Sequence, residues 1–194
     1  MEKNEPNFDQ LMQLYNYISE EERHFNTLEL EYRKLASQWL LVSLGAIGFV
    51  ITKQEIVPIN IWVLVIGICF AASIGIMVLW LLDLKVYHEL LNSVFFEGLE
   101  LEKKHPHYFP QIRKNMVESQ HEGNTTKRVI LFYFFSVLLL FFVANISIWM
   151  IELATPIVPI LFNSLSLIMI VFIFKLMDKD SKNIKKTLES KSQE

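Results

Sequence analysis

Few side chains in this chain could do chemistry, and their spacing does not assemble a reaction centre. His105 and His107 flank Pro106, and His121 follows in the same polar stretch. Imidazoles grouped in this way can contribute to a zinc site. A His-Pro-His in a solvated loop is more often only a loop. The single cysteine, Cys69, sits in an apolar run and reads as a small buried residue. There is no Gly-rich phosphate loop, no Gly-x-Ser-x-Gly, no His-Glu-x-x-His and no cysteine pair. The expectation is a non-enzymatic protein without a cofactor. The remaining candidates are basic: Arg33, Lys34, Lys85, Lys127 and Arg128, with Arg113 and Lys114 nearby in sequence, could form a collar that binds a small anionic ligand such as a nucleotide. Anionic headgroups and membrane topology explain most of the same charges. Direct nucleic-acid binding is not expected.

The elements that must position these residues are apolar helices. Four stretches, 36–52, 57–82, 129–151 and 156–174, contain no Asp, Glu, Lys, Arg or His. At about 1.5 Å per residue, each reaches most or all of a hydrocarbon core roughly 30 Å thick. Of the 194 residues, 52% are hydrophobic, and the mean hydropathy is +0.32. A soluble domain of this size could not hide so much apolar surface. The fold class expected is therefore an all-α membrane protein with four transmembrane helices in two hairpins and cytoplasmic helical extensions. The first 35 residues are polar and acid-rich, with no short apolar run before a cleavage site, so the first span is expected to insert as a permanent helix.

Charge sets the orientation. Of the 18 Lys and Arg residues, all but Lys53 lie in the N-terminal segment, the central loop or the tail. Basic residues near span ends stay in the cytoplasm, so both termini and the central loop are expected inside a bacterial inner membrane, with the two short turns outside. The four tryptophans agree: Trp39 and Trp80 fall at the inner boundary, Trp62 and Trp149 near the outer one, where an indole finds both apolar and polar surroundings.

Five segments follow: a cytoplasmic amphipathic helix (1–35), a first transmembrane hairpin (36–83), a cytoplasmic helical loop (84–128), a second hairpin (129–174) and a cytoplasmic tail (175–194). Residues 7–35 carry a drifting apolar stripe interrupted by Glu20, Glu21 and Glu22, with Asn7 as N-cap. Nothing breaks that helix before the first span. Leu84, Tyr87, His88, Leu91, Val94, Phe95, Leu99 and Leu101 continue the second span beyond the membrane, with Glu97, Glu100 and Glu102 expected on a wet face. Pro106 and Pro110 impose a bend, and Pro110 can open a short helix through Met116.

Within the spans, Gly67, Ala71 and Gly75 recur at every fourth position, and Gly45 and Gly48 lie in the first span. Small residues let helix backbones approach closely. Contact between the first two spans, with Gly45 at the depth of Gly67, and a subunit interface are both open readings. In the second hairpin, Asn145 and Asn163 are equidistant from the turn, with Ser164 nearby. An amide in hydrocarbon needs a partner, and an Asn–Asn pair across the hairpin would supply it. Lining of a water path in an oligomer is the alternative. Phe132, Phe134, Phe135, Phe141 and Phe142 are expected to face lipid.

The stretches Glu31-Tyr32-Arg33-Lys34-Leu35-Ala36-Ser37-Gln38-Trp39 and Leu82-Asp83-Leu84-Lys85-Val86-Tyr87-His88-Glu89-Leu90-Leu91, on this architecture, resemble small bacterial four-span membrane proteins of antiphage defence systems. These include transmembrane effectors of cyclic-nucleotide signalling and Kiwa-type membrane components. The resemblance implies a membrane-perturbing effector or membrane sensor acting with a soluble cytoplasmic partner. The function expected is that of a homo-oligomeric inner-membrane protein that receives a cytoplasmic signal and acts on membrane permeability. The alternative is a sensor or scaffold that recruits a soluble effector without a pore.

Overall fold

The computed structural model describes residues 7–53, 59–119 and 124–151, together with Ser164, Val171 and Lys175. The described chain is all-helical: α1 (Phe8–Thr52), α2 (Ile61–Leu81), a π-helical segment (Leu82–Tyr87), α3 (His88–Lys104), α4 (Ile112–Ser119) and α5 (Asn124–Trp149). Among the described residues, three helices are long and apolar enough to cross a membrane: Phe8–Thr52, Ile61–Lys104 with its π segment included, and Lys127–Trp149. The fourth expected span lies outside the described residues, save that Ser164, Val171 and Lys175 are helical.

Local chemistry accounts for the helix ends. The Asn7 backbone N–H donates to Gln10 Oε1 at 3.1 Å, the reach-back half of a capping box, and the Asn7 carbonyl accepts the first helical bond from Leu11. Residues 7–35 contain no Gly or Pro, and α1 continues through Gly45 and Gly48 to Thr52. Asn60 Oδ1 accepts from the Trp62 backbone N–H at 3.0 Å and so caps α2. α3 stops at Lys104 because Pro106 disfavours helical backbone at His105, whose φ and ψ are −127° and 58°.

The chain divides into two compact units. One comprises Met1–Tyr32 and Leu81–Glu122, the other Arg33–Trp80 and Gly123–Glu194. The first has a core of Leu11 and Ile18 from α1, Leu101 from α3 and Phe109 from the proline bend, with Met12, Tyr15 and Val94 against it. Phe109 stacks on Tyr15 with centroids 4.7 Å apart. The bend thus carries an anchor: Tyr108 and Phe109 both donate backbone bonds to the His105 carbonyl, a turn that points Phe109 inward.

In the second unit, the buried side of α2 is Ile61, Val65, Cys69, Ala72, Ser73, Ile76 and Trp80. Gly67 and Ala71 lie off that stripe and are exposed, as are Gly45 and Gly48 on α1. The intrachain approach expected between Gly45 and Gly67 is not made: among the described residues, a Cβ added at Gly45, Gly48 or Gly67 meets nothing within 4 Å. The close approach is at Gly75, where an added Cβ would lie 2.5 Å from Trp39 Nε1. That indole donates to the Ala72 carbonyl at 3.3 Å, so Trp39 finds its partner on a neighbouring helix. Trp80 is buried, and its N–H has no hydrogen-bond partner among the described residues. Phe135 and Phe142 are exposed as expected, but Phe141 is buried. It shares the 3–4 spacing of Tyr133, Val137, Leu140, Ala144 and Ile148, and that stripe is the packed face of α5.

Candidate functional site

The buried chemistry of the first unit centres on Arg113, at the start of α4. Its side chain is folded inward and only 4% of the residue is exposed. Nη1 donates to Glu102 Oε1 at 2.9 Å, Nε and Nη2 donate to Glu22 Oε2 at 3.0 and 2.8 Å, and Nη2 also reaches Ser19 Oγ at 3.2 Å. The guanidinium lies 5.2 Å from the centre of the Tyr15 ring. Burial alone would lower the Arg113 pKa. The hydrogen bonds and charges of Glu22 and Glu102 outweigh it and hold the guanidinium above its ordinary value. Three segments distant in sequence are thereby joined: α1 through Tyr15, Ser19 and Glu22, α3 through Glu102, and α4 through Arg113.

Gly98 makes room for this arrangement. A Cβ there would lie 2.4 Å from Arg113 Nε and 2.5 Å from its Cζ. Gln111 closes the bend by donating to the Glu102 carbonyl at 2.7 Å. Glu102, expected on the wet face of α3, is fully buried. It lies one turn beyond Gly98, so the helix that brings Gly98 against Arg113 brings Glu102 there too. Arg113, expected in the anion-binding collar, is already neutralised by two carboxylates and is not available to an incoming anion. Lys34, Lys85, Lys114, Lys127 and Arg128 are exposed, and Arg33 is half-buried.

A second polar layer joins α1 to the π segment and the start of α3. His88 Nδ1 and Glu29 Oε1 are 2.8 Å apart. Tyr32 and Tyr87 stack with centroids 4.9 Å apart and their hydroxyls at 3.3 Å. The hydrogen bond with Tyr87 is the main cause that raises the Tyr32 phenol pKa above 10.0, with burial next. Asp83, within the π segment, has no exposed surface. The contacts run in antiparallel order, Tyr32 to Tyr87 and Glu29 to His88 at one end, with Ile18 and Leu101 in the shared apolar cluster at the other.

An open groove of about 380 Å³ runs along α1 beside the Arg113 network, lined by Ser19, Glu22, Arg23, Asn26, Thr27 and Leu30. No group of three metal-ligating side chains occurs among the described residues. His105 is half-buried and His107 exposed, while His121 is outside the described residues. Asn145 Nδ2 bonds back to the Phe141 carbonyl at 2.8 Å, and its Oδ1 is buried without a partner among the described residues. Asn163, its expected partner, lies outside them, and Ser164 is helical and exposed.

No family model matches the chain, and no curated protein or solved structure matches it.

The sequence pattern did not disclose the Arg113 network or the Glu29–His88 pair. The usable signal was Gly98, a helix-interior glycine on the apolar stripe that marks a close approach. Glu22 and Glu29 share a face of α1 two turns apart, which periodicity alone reads as a wet interruption.

Proposed function

We propose that this chain is a non-enzymatic, homo-oligomeric membrane protein that receives a signal in its polar helical unit and acts at the membrane. In this reading four spans form two hairpins in a bacterial inner membrane, with both termini and the central loop in the cytoplasm. Antiphage defence is the setting, and a change in membrane permeability is the output.

The observation that carries the reading is the construction of two helices. Phe8–Thr52 has 45 residues and Ile61–Lys104 has 44, and each joins an apolar stretch to a polar arm with no loop between. A helix transmits rotation and displacement along its length, because every turn is bonded to the next. The polar arms are fastened to each other by a buried ion network, which gives a signal something discrete to release. Support for the oligomer comes from Gly45, Gly48, Gly67 and Ala71, small residues left exposed on the apolar parts of α1 and α2.

The test is expression in cells loaded with a potential-sensitive dye, with and without phage challenge. Depolarisation that Arg113→Ala alters, together with cross-linked oligomers in isolated membranes, supports the reading. Unchanged potential with specific co-purification of a soluble protein transfers the assignment to a recruiting scaffold. A chain that stays strictly monomeric in detergent at all concentrations removes the oligomer.

A further inference from the structure

The π segment Leu82–Tyr87 is the least expected element in the chain. It is entered from regular α-helix at Leu81 (φ −62°, ψ −43°) and left at His88 (φ −66°, ψ −35°), whose N–H donates to the Asp83 carbonyl five residues back. Runs with this bonding are rare and occur mostly as single turns inside α-helices. Nothing local demands one here: Leu82-Asp83-Leu84-Lys85-Val86-Tyr87 contains no proline or glycine, and every residue in it can continue an α-helix.

The contacts of its last residue, Tyr87, and of His88 just after it supply the reason. Tyr87 stacks on Tyr32, and His88 pairs with Glu29, so both are held to α1. A π segment accommodates one residue more than the α-helix it replaces, and one residue corresponds to about 100° of rotation about the helix axis. Conversion to α would turn α3 by that amount. Tyr87 and His88 would leave α1, and Arg113, carried with α3 by its bonds to Glu102, would leave Glu22 and Ser19. The Tyr32–Tyr87 stack, the Glu29–His88 pair and the Arg113–Glu22 contact are thus compatible with one register only, the π register.

We propose that the π segment is a register switch. In one state it is π-helical and all three sets of contacts are closed. In the other it is α-helical and α3 is rotated by about 100° against α1, with Arg113 released from Glu22. Opening the Glu29–His88 and Tyr32–Tyr87 contacts favours the second state, because the α ladder is the better backbone geometry and only tertiary contacts oppose it. This deepens the proposed function by naming how the polar unit would register its signal, and it rests on that reading only for its biological use.

Distance measurements between spin labels test it. Labels are placed at exposed positions by Thr27→Cys on α1 and Glu97→Cys on α3, in the full chain carrying Cys69→Ala. The parent should give one distance. Glu29→Gln with Tyr32→Phe, which conserve volume, should add a second population. Deleting the exposed residue Val86 should remove the extra residue while preserving register. That deletion variant should return the parent distance and keep it when Glu29→Gln and Tyr32→Phe are added. A single unchanged distance in the substituted chain overturns the proposal, as does a rotated distance in the deletion variant. Circular dichroism of each variant identifies a chain that has lost its helices, and wholesale helix loss on Val86 deletion also counts against the switch. Membrane potential does not enter this measurement, so the switch and the membrane output can fail separately.

Discussion

Glu102 holds Arg113 twice. Its Oε1 accepts from the Arg113 guanidinium and its Oε2 from the Arg113 backbone N–H, each at 2.9 Å. One carboxylate therefore neutralises the buried cation and satisfies an orphan donor in the first turn of α4. A helix of eight residues is too short to be stable alone in water, and this contact fastens it to α3.

Glu102→Ala is therefore expected to cost about 3–5 kcal/mol, since it removes the buried one of the two counter-ions of Arg113 and leaves the Arg113 backbone N–H without its acceptor. Glu102→Gln should cost less, about 1–3 kcal/mol, because it retains one acceptor but turns an amide N–H₂ toward a donor. Lys104→Ala, which removes the exposed pair with Glu100, should leave the unfolding midpoint where it is. Denaturant unfolding of the purified protein followed by circular dichroism checks all three.

Gly98→Ala brings two effects into opposition. Alanine is the better helix residue by up to about 1 kcal/mol. Its methyl group, however, meets an Arg113 side chain held by hydrogen bonds on three sides, and overpacking of this kind costs about 1–3 kcal/mol. Net destabilisation is expected. A matched Ser93→Ala on the exposed side of α3 should be neutral or mildly stabilising in the same assay.

Much of the helical layout was legible in the sequence, because helix ends are written locally. Asn7, the break after Thr52 and the prolines at 106 and 110 mark boundaries that neighbouring residues alone decide. Pro110 announces α4, although the helix begins at Ile112 and runs to Ser119, past the Met116 end expected. The Arg113 network was not legible, since Glu22, Glu102 and Arg113 are brought together by pairing of distant segments. Each, taken alone, resembles an ordinary solvated charge. Phe109 was hidden for a related reason: its bend looked like a loop, and only the turn geometry around His105 directs it inward. The π segment carries no sequence signal, because Leu82–Tyr87 contains no Pro or Gly and each residue can continue an α-helix.

High pH should open the Tyr32–Tyr87 contact. The Tyr32 pKa is raised in the folded state, so the neutral phenol is the form the fold favours. Its contribution to stability is fully present below the ordinary value of 10.0 and is lost as pH rises through the higher folded value. An ultraviolet titration should show a phenolate step later than that of a free tyrosine, and Tyr87→Phe should move it back toward 10.0. A Tyr32 that ionises with the exposed tyrosines in the parent chain contradicts the hydrogen bond.

The two glycines Gly75 and Gly67 allow a paired test of packing inside the apolar unit. They are two helical turns apart in α2, chemically identical and both within the apolar run. An added methyl at Gly75 strikes the Trp39 indole and displaces the N–H that bonds to the Ala72 carbonyl. At Gly67 it meets no atom of the described residues within 4 Å. Gly75→Ala should therefore destabilise the detergent-solubilised protein by about 1–3 kcal/mol and shift the tryptophan emission. In a monomer, Gly67→Ala should be neutral or stabilising by up to about 1 kcal/mol. If Gly67 packs against a second copy of the chain, Gly67→Ala should instead weaken cross-linking between copies while leaving the Trp39 emission unchanged. The two substitutions thus separate packing within the chain from packing between chains, and equal effects on both readouts would contradict the assignment of Gly75 to the Trp39 contact.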